Sequence, residues 1–133
     1  MVAACTSKSP PLVASYTHKP NAHTTASDAL WAGLPLITCV GDTFAGRVAG
    51  SILYAIGLPE LVTASSHDYE SLALQLATQP EMLAALRQTL EHNRLTMPLF
   101  DMALYTRHLE ECYMQMWHRW QSGNPPQPIT VLR

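Results

Sequence analysis

Cysteine is scarce and unpaired in number: Cys5, Cys39 and Cys112 are widely spaced, and none belongs to a Cys-x-x-Cys. That usage argues against a disulfide framework and fits a reducing compartment. Histidine spacing adds no metal site, since none of His18, His23, His67, His92, His108 and His118 lies four residues from another. Charge is low. With 14% charged residues and a formal net charge of −2, there is no basic footprint for nucleic acid or an anionic membrane. No apolar run approaches the roughly 20 residues that cross a bilayer. No cationic start precedes an apolar core, so no secretory signal is read, and no internal repeat is visible.

What remains is a 133-residue chain with 47% apolar residues, suited to one packed domain or a piece of a larger one. Residues 1–19 hold Pro10 and Pro11 among several Ser and Thr, and are expected to be an atypical, disordered segment. Residues 123–133 carry Pro125, Pro126 and Pro128 and are expected to form an extended, loosely attached tail. The folded part is expected over 20–122.

Within it, an amphipathic pattern predicts a helix over about 23–32, with Gly33 as its left-handed cap. Leu34 to Val40 is a short apolar run between Gly33 and Gly41, which reads as a buried strand with Pro35 at its start. Gly41-Asp42-Thr43 is a turn and cap, in which Asp42 or Thr43 can accept from the amides of the next helix, with Asp42 favoured. The next helix runs to about Ile56 and ends at Gly57. Leu58 to Val62 is a connector with room for a small strand. Ser66-His67-Asp68 opens a helix with the stripe Tyr69, Leu72, Ala73 and Leu76. Pro80 suits the first turn of another helix, striped by Leu83, Leu86 and Leu90. After a break at Pro98 to Asp101, a last long helix over 101–121 aligns Met102, Tyr105, Leu109, Cys112, Met116 and Trp120. Tyr105, Tyr113, Trp117 and Trp120 are expected in core or interdomain packing, since no basic groove accompanies them. The alternation predicts an α/β layer with a parallel sheet, the C-terminal portion of a Rossmann-like domain with several C-terminal helices. Its partner strands are expected upstream of this chain.

The start of the first helix carries the chemistry. Helix openings present unpaired N–H groups and a partial positive charge, and they bind phosphates readily. His23, Thr24 and Thr25 add side-chain donors there, and Asp28 lies one turn on, placed for a sugar hydroxyl. The bland alternatives are an ordinary cap for His23-Thr24-Thr25 and a solvated acid for Asp28. Arg47 reads as a surface side chain, and Cys39 and Cys112 as small hydrophobes.

Asn21 to Gly33 resembles the nucleotide-sugar motif of glycosyltransferase family 41, the protein O-linked N-acetylglucosamine transferases and their SPINDLY-like relatives. The likeness continues through Leu34 to Thr38, Gly41 to Ala49, Pro98 to Asp101, Tyr105-Thr106 and Tyr113 to Trp117, covering about 20–126. The resemblance implies a GT-B catalytic region, two Rossmann-like domains with the donor between them, preceded by tetratricopeptide repeats. The donor it implies is UDP-N-acetylglucosamine (UDP-GlcNAc), or GDP-fucose in a plant-type branch, and the acceptor is a Ser or Thr hydroxyl of a protein. It implies that His23, Thr24 and Thr25 contact the diphosphate and that Asp28 holds the ribose. No residue here is assigned to the catalytic step, and no cofactor or metal is expected. The implied setting is the cytoplasm, and the nucleus in eukaryotes.

Residues 1–19 depart from the family. The base-holding segment, an upstream diphosphate lysine and the N-terminal catalytic domain have no counterpart here. The expectation is therefore a truncated product, an alternative start or a broken gene fragment, inactive alone. Two other readings stand beside it: a non-catalytic remnant that associates with proteins through exposed apolar faces, and a free-standing nucleotide-binding module.

Overall fold

The computed structural model describes residues 14–15 and 23–131. Expectations placed on Cys5, Pro10, Pro11, His18 and Asn21 lie outside them. The chain divides into two compact units, Met1–Leu99 and Phe100–Arg133. Helix predominates, with one small parallel sheet.

The first unit runs β1 (Ala14–Ser15), α1 (Thr24–Trp31), β2 (Leu36–Cys39), α2 (Phe44–Ala55), β3 (Val62–Thr63), α3 (Ser66–Thr78) and α4 (Pro80–Thr96). The sheet order is β1-β2-β3, with Ala14 opposite Leu36 and Thr38 opposite Val62. Parallel neighbours need a crossover, and α1 and α2 supply them. Between two neighbours and under helices, β2 is buried on both faces: Leu36, Ile37 and Thr38 are all fully buried. Val40 N–H donates to the Thr63 carbonyl at 2.9 Å, and Thr63 Oγ1 donates to the Thr38 carbonyl at 3.0 Å, which tightens the short β2–β3 pairing.

One expectation is corrected here. β1 lies inside the 1–19 segment expected to be disordered, so the chain itself supplies one of the partner strands expected upstream. Two residues carry no periodicity of their own. Their pairing with Leu36 and Ile37 defines the strand, and that contact is not local.

Helix ends follow the glycines. Gly33 and Gly57 adopt φ +80° and +75°, a region costly for residues with a Cβ. After α1, Leu34 N–H reaches the Ala29 carbonyl at 2.9 Å and Gly33 N–H reaches Leu30 at 3.0 Å. After α2, Leu58 N–H reaches Leu53 at 2.9 Å and Gly57 N–H reaches Tyr54 at 3.2 Å. Both are Schellman closures. At the start of α2 the cap is Thr43, the second of the two residues expected there, rather than the favoured Asp42: Thr43 Oγ1 accepts from Gly46 N–H at 3.0 Å. Thr43 is the extended residue just before the helix, which puts its hydroxyl within reach of the third helical amide, and Asp42 is one residue too early. Thr43→Ala is expected to destabilise the unit by about 1 kcal/mol, read as a shift in urea midpoint at unchanged slope.

α3 opens with a reciprocal pair in which Ser65 Oγ accepts from Asp68 N–H at 3.1 Å and donates to Asp68 Oδ2 at 2.7 Å. α4 starts at Pro80 and buries the expected Leu83, Leu86 and Leu90, packing on α3 and α1.

The second unit holds α5 (Met102–Gln121), capped by Asp101 Oδ1, which accepts from Leu104 N–H at 2.8 Å. The expected stripe exists, but core packing is corrected. No residue of α5 is buried, and Met102, Tyr105, Tyr113, Trp117 and Trp120 are each more than half exposed. The Trp117 and Trp120 rings lie 5.1 Å apart. The tail has no helix or strand through residue 131. Its first residues are bonded to the end of α5: Asn124 N–H donates to the Arg119 carbonyl at 3.1 Å, and Arg119 Nε donates to the Pro125 carbonyl.

Candidate functional site

Strand direction decides where the site lies. β1 leads to the start of α1 and β2 leads to the start of α2, so both helix N-termini belong to the C-terminal edge of the parallel strands. Ligands of open α/β sheets bind at that edge.

At α1, His23 stands in the N-cap position and makes no side-chain cap bond. The first helical bond runs from Ser27 N–H to the His23 carbonyl at 3.3 Å, so the amides of Thr24, Thr25 and Ala26 have no acceptor within the helix. Ala26 and Leu30 turn inward and are fully buried. His23, Thr24, Thr25 and Asp28 turn outward and are exposed. Thr24 and Asp28 are four apart and share one face, while Thr25 sits about 100° further round. The four predicted site residues thus lie together on one exposed turn, held down by Ala26 and Leu30 beneath.

The start of α2 adjoins them. The His23 and Phe44 rings meet edge to face, centroids 6.4 Å apart and planes at 80°. Phe44 is 76% exposed, so this ring contact lies at the surface. The sequence reading missed this residue, and its only local signal is an aromatic at the first position of a helix that follows a strand. Arg47 turns back to its own loop, Nη1 donating to the Asp42 carbonyl, in keeping with the surface reading. A groove of about 470 Å³ runs beside this corner, lined by Phe44, Arg47, Val48, Ser51, Ile52 and Leu99. Among the described residues no group of three or more His, Cys, Asp or Glu is placed to hold a metal, and no helix is long and apolar enough to cross a membrane. The polar groups this corner offers are the outward Thr24 and Thr25 hydroxyls, the amides at the start of α1 and the Asp28 carboxylate.

Parallel strands with helical crossovers, and helix starts gathered at one sheet edge, define an α/β domain of the Rossmann-like kind found in GT-B glycosyltransferases. A solved structure of a mutant O-GlcNAc transferase from Thermobaculum terrenum superposes with a TM-score of 0.76 at 35% identity, over 81% of this chain and 21% of that one. The Glycosyl transferase family 41 model matches residues 13–109. The chain belongs to glycosyltransferase family 41. It is 42% identical over 110 residues to the UDP-N-acetylglucosamine–peptide N-acetylglucosaminyltransferase of Caenorhabditis elegans, covering 83% of this chain. It is 43% identical over 113 residues to the probable enzyme of the same name, SEC, of Arabidopsis thaliana, covering 84%. A barley SPINDLY relative is 38% identical over 103 residues. The chain spans 10% and 12% of the length of the first two relatives. The family match begins at residue 13, so the expected departure over 1–19 is corrected from that point on.

Proposed function

We propose that this chain is the donor-binding portion of a protein O-GlcNAc transferase, with His23, Thr24 and Thr25 on the diphosphate of UDP-GlcNAc and Asp28 on its ribose hydroxyls. The observation that carries the proposal is the exposed start of α1: three amides without helical acceptors, two threonine hydroxyls beside them, and a carboxylate one turn away. Family membership supports the same assignment.

The chemistry suits those groups. In transfer, a Ser or Thr oxygen of the acceptor protein bonds to the anomeric carbon of the sugar. The bond from that carbon to the diphosphate oxygen breaks, the electron pair leaves with UDP, and the acceptor hydroxyl gives up its proton to the departing diphosphate or to water. Negative charge therefore grows on the diphosphate as the barrier is crossed, which is where fixed donors act most strongly. A helix N-terminus stabilises an anion by about 0.3–2 kcal/mol, and each charge-assisted hydrogen bond adds roughly 1.5–3 kcal/mol. A set of three or four lowers the barrier by several kcal/mol without a metal. Asp28, an acceptor when ionised, pairs with hydroxyl donors of the ribose, and its place one turn from the anion reduces the repulsion between the two charges.

We further propose that the chain alone transfers no sugar, because it matches only about a tenth of the length of its relatives. Titration of the chain with UDP, followed by amide NMR, tests both statements. The expected result is a dissociation constant of millimolar order, with the largest shifts at Thr24, Thr25 and Ala26. Unmoved amides at those positions at saturating UDP overturn the site. A micromolar constant overturns the view that base contacts are missing, as does turnover of UDP-GlcNAc with a peptide acceptor for the statement of inactivity. The uncovered apolar side of α5 favours a second reading, a remnant that acts by associating with proteins. On that reading UDP leaves the α1 amides unmoved.

A further inference from the structure

We infer that Asn93 and Arg94, neighbours on α4, are positioning residues that aim the ligand-facing starts of α1 and α2 by holding their far ends. The inference rests on the donor-binding role proposed above for Thr24 and Thr25.

α1 has eight residues. It is therefore about 12 Å long, and a helix so short has no stable direction of its own. Its start is not fixed by a side-chain cap, and only Ala26 and Leu30 are buried along it. Its far end is held. Arg94 Nη1 donates to the Trp31 carbonyl at 2.7 Å. The guanidinium passes over Gly33, with Nη1 3.9 Å from where a Cβ would stand. α1 has no basic residue in its own last turn, so Arg94 brings the cation that a helix C-terminus favours from 63 residues away.

Asn93 does the corresponding work on α2, which also lacks a basic residue in its last turn. Asn93 is 7% exposed, and its Nδ2 donates to the Ile56 carbonyl at 2.8 Å and approaches that of Gly57 at 3.4 Å. Consecutive residues of a helix point about 100° apart, so two adjacent positions of α4 reach two different helices. The opposite ends of those helices are the ones that meet, at the His23–Phe44 ring contact. A tilt of about 20° over that length moves the start of α1 by roughly 4 Å. Catalytic placement tolerates far less, since about 1 Å of misplacement can cost roughly 10²-fold in rate.

The test uses the 133-residue chain as wild type, Arg94→Ala and Arg94→Lys, with UDP as the probe. Residual dipolar couplings of the α1 amides, recorded without UDP, report the helix direction. Shifts of the Thr24 and Thr25 amides against UDP report affinity. Arg94→Ala is expected to turn α1 relative to β2 and to weaken UDP binding about three- to tenfold. Arg94→Lys, which keeps the cation, is expected to restore most of both. A merely stabilising side chain lowers the unfolding midpoint but leaves the couplings and the affinity of the folded chain unchanged, and that result overturns the inference. If the wild-type chain gives no UDP response, the donor-binding reading fails by itself. The couplings then decide the clasp alone, and an unturned α1 in Arg94→Ala overturns it.

Discussion

Replacing Thr24 and Thr25 together by alanine, in a complete family 41 enzyme that carries this segment, is expected to lower transfer by about 10²–10⁴-fold with the fold intact. The magnitude follows from two hydroxyl bonds to a charged diphosphate at roughly 1.5–3 kcal/mol each, at about 1.4 kcal/mol per decade of rate. The fold survives because both side chains are exposed and neither is the N-cap of α1. Alanine is also a slightly better helix former than threonine, so the helix itself is not weakened. Because charge on the diphosphate grows during the reaction, the loss falls on kcat as well as on kcat/KM. The paired serine substitutions keep the hydroxyls and are expected to stay within a few-fold of the parent. Unchanged rates in the double alanine variant remove the assigned role.

Gly57→Ala is expected to be the most destabilising small change in the first unit. Gly57 sits at φ +75°, where a Cβ costs about 1–2 kcal/mol. The space is also taken. A Cβ there would stand 2.6 Å from Met97 Cε and 3.0 Å from Asn93 Nδ2. Met97 is a flexible side chain and can retreat at small cost. Asn93 is less free, because the same nitrogen donates to the Ile56 carbonyl at 2.8 Å. Pushing it away leaves a carbonyl at the end of α2 without its donor, a loss of about 1–3 kcal/mol. The sum, about 2–5 kcal/mol, is a large share of the 5–15 kcal/mol that holds a domain of this size. A urea midpoint shift at constant slope measures it. A shift under half a kcal/mol would show that α2 can end another way.

Local patterns made much of this fold readable. Gly33 and Gly57 mark helix ends because only glycine takes positive φ cheaply, and Leu83, Leu86 and Leu90 mark a buried stripe because their spacing matches the helix period. Distant contacts were not readable. β1 exists through its pairing with Leu36 and Ile37, His23 meets Phe44 across two helix starts, and Arg94 meets Trp31 across most of the unit. The stripe of α5 shows the limit of periodicity from another side: spacing says that a side is apolar, not that anything in this unit covers it. At the site, the residues alone gave donors at a helix start, and the family likeness gave them a ligand.

The central strand bears on how this protein is expected to fail under heat. Leu36-Ile37-Thr38-Cys39 is uncharged and rich in β-branched side chains, with full burial of its first three residues and neighbours only two residues long on either side. Once the helices lift away, nothing in that stretch discourages it from pairing with the same stretch of another molecule. Heating is then expected to end in intermolecular β-structure rather than in a dispersed chain, and the apparent melting point becomes a rate that changes with scan speed and concentration.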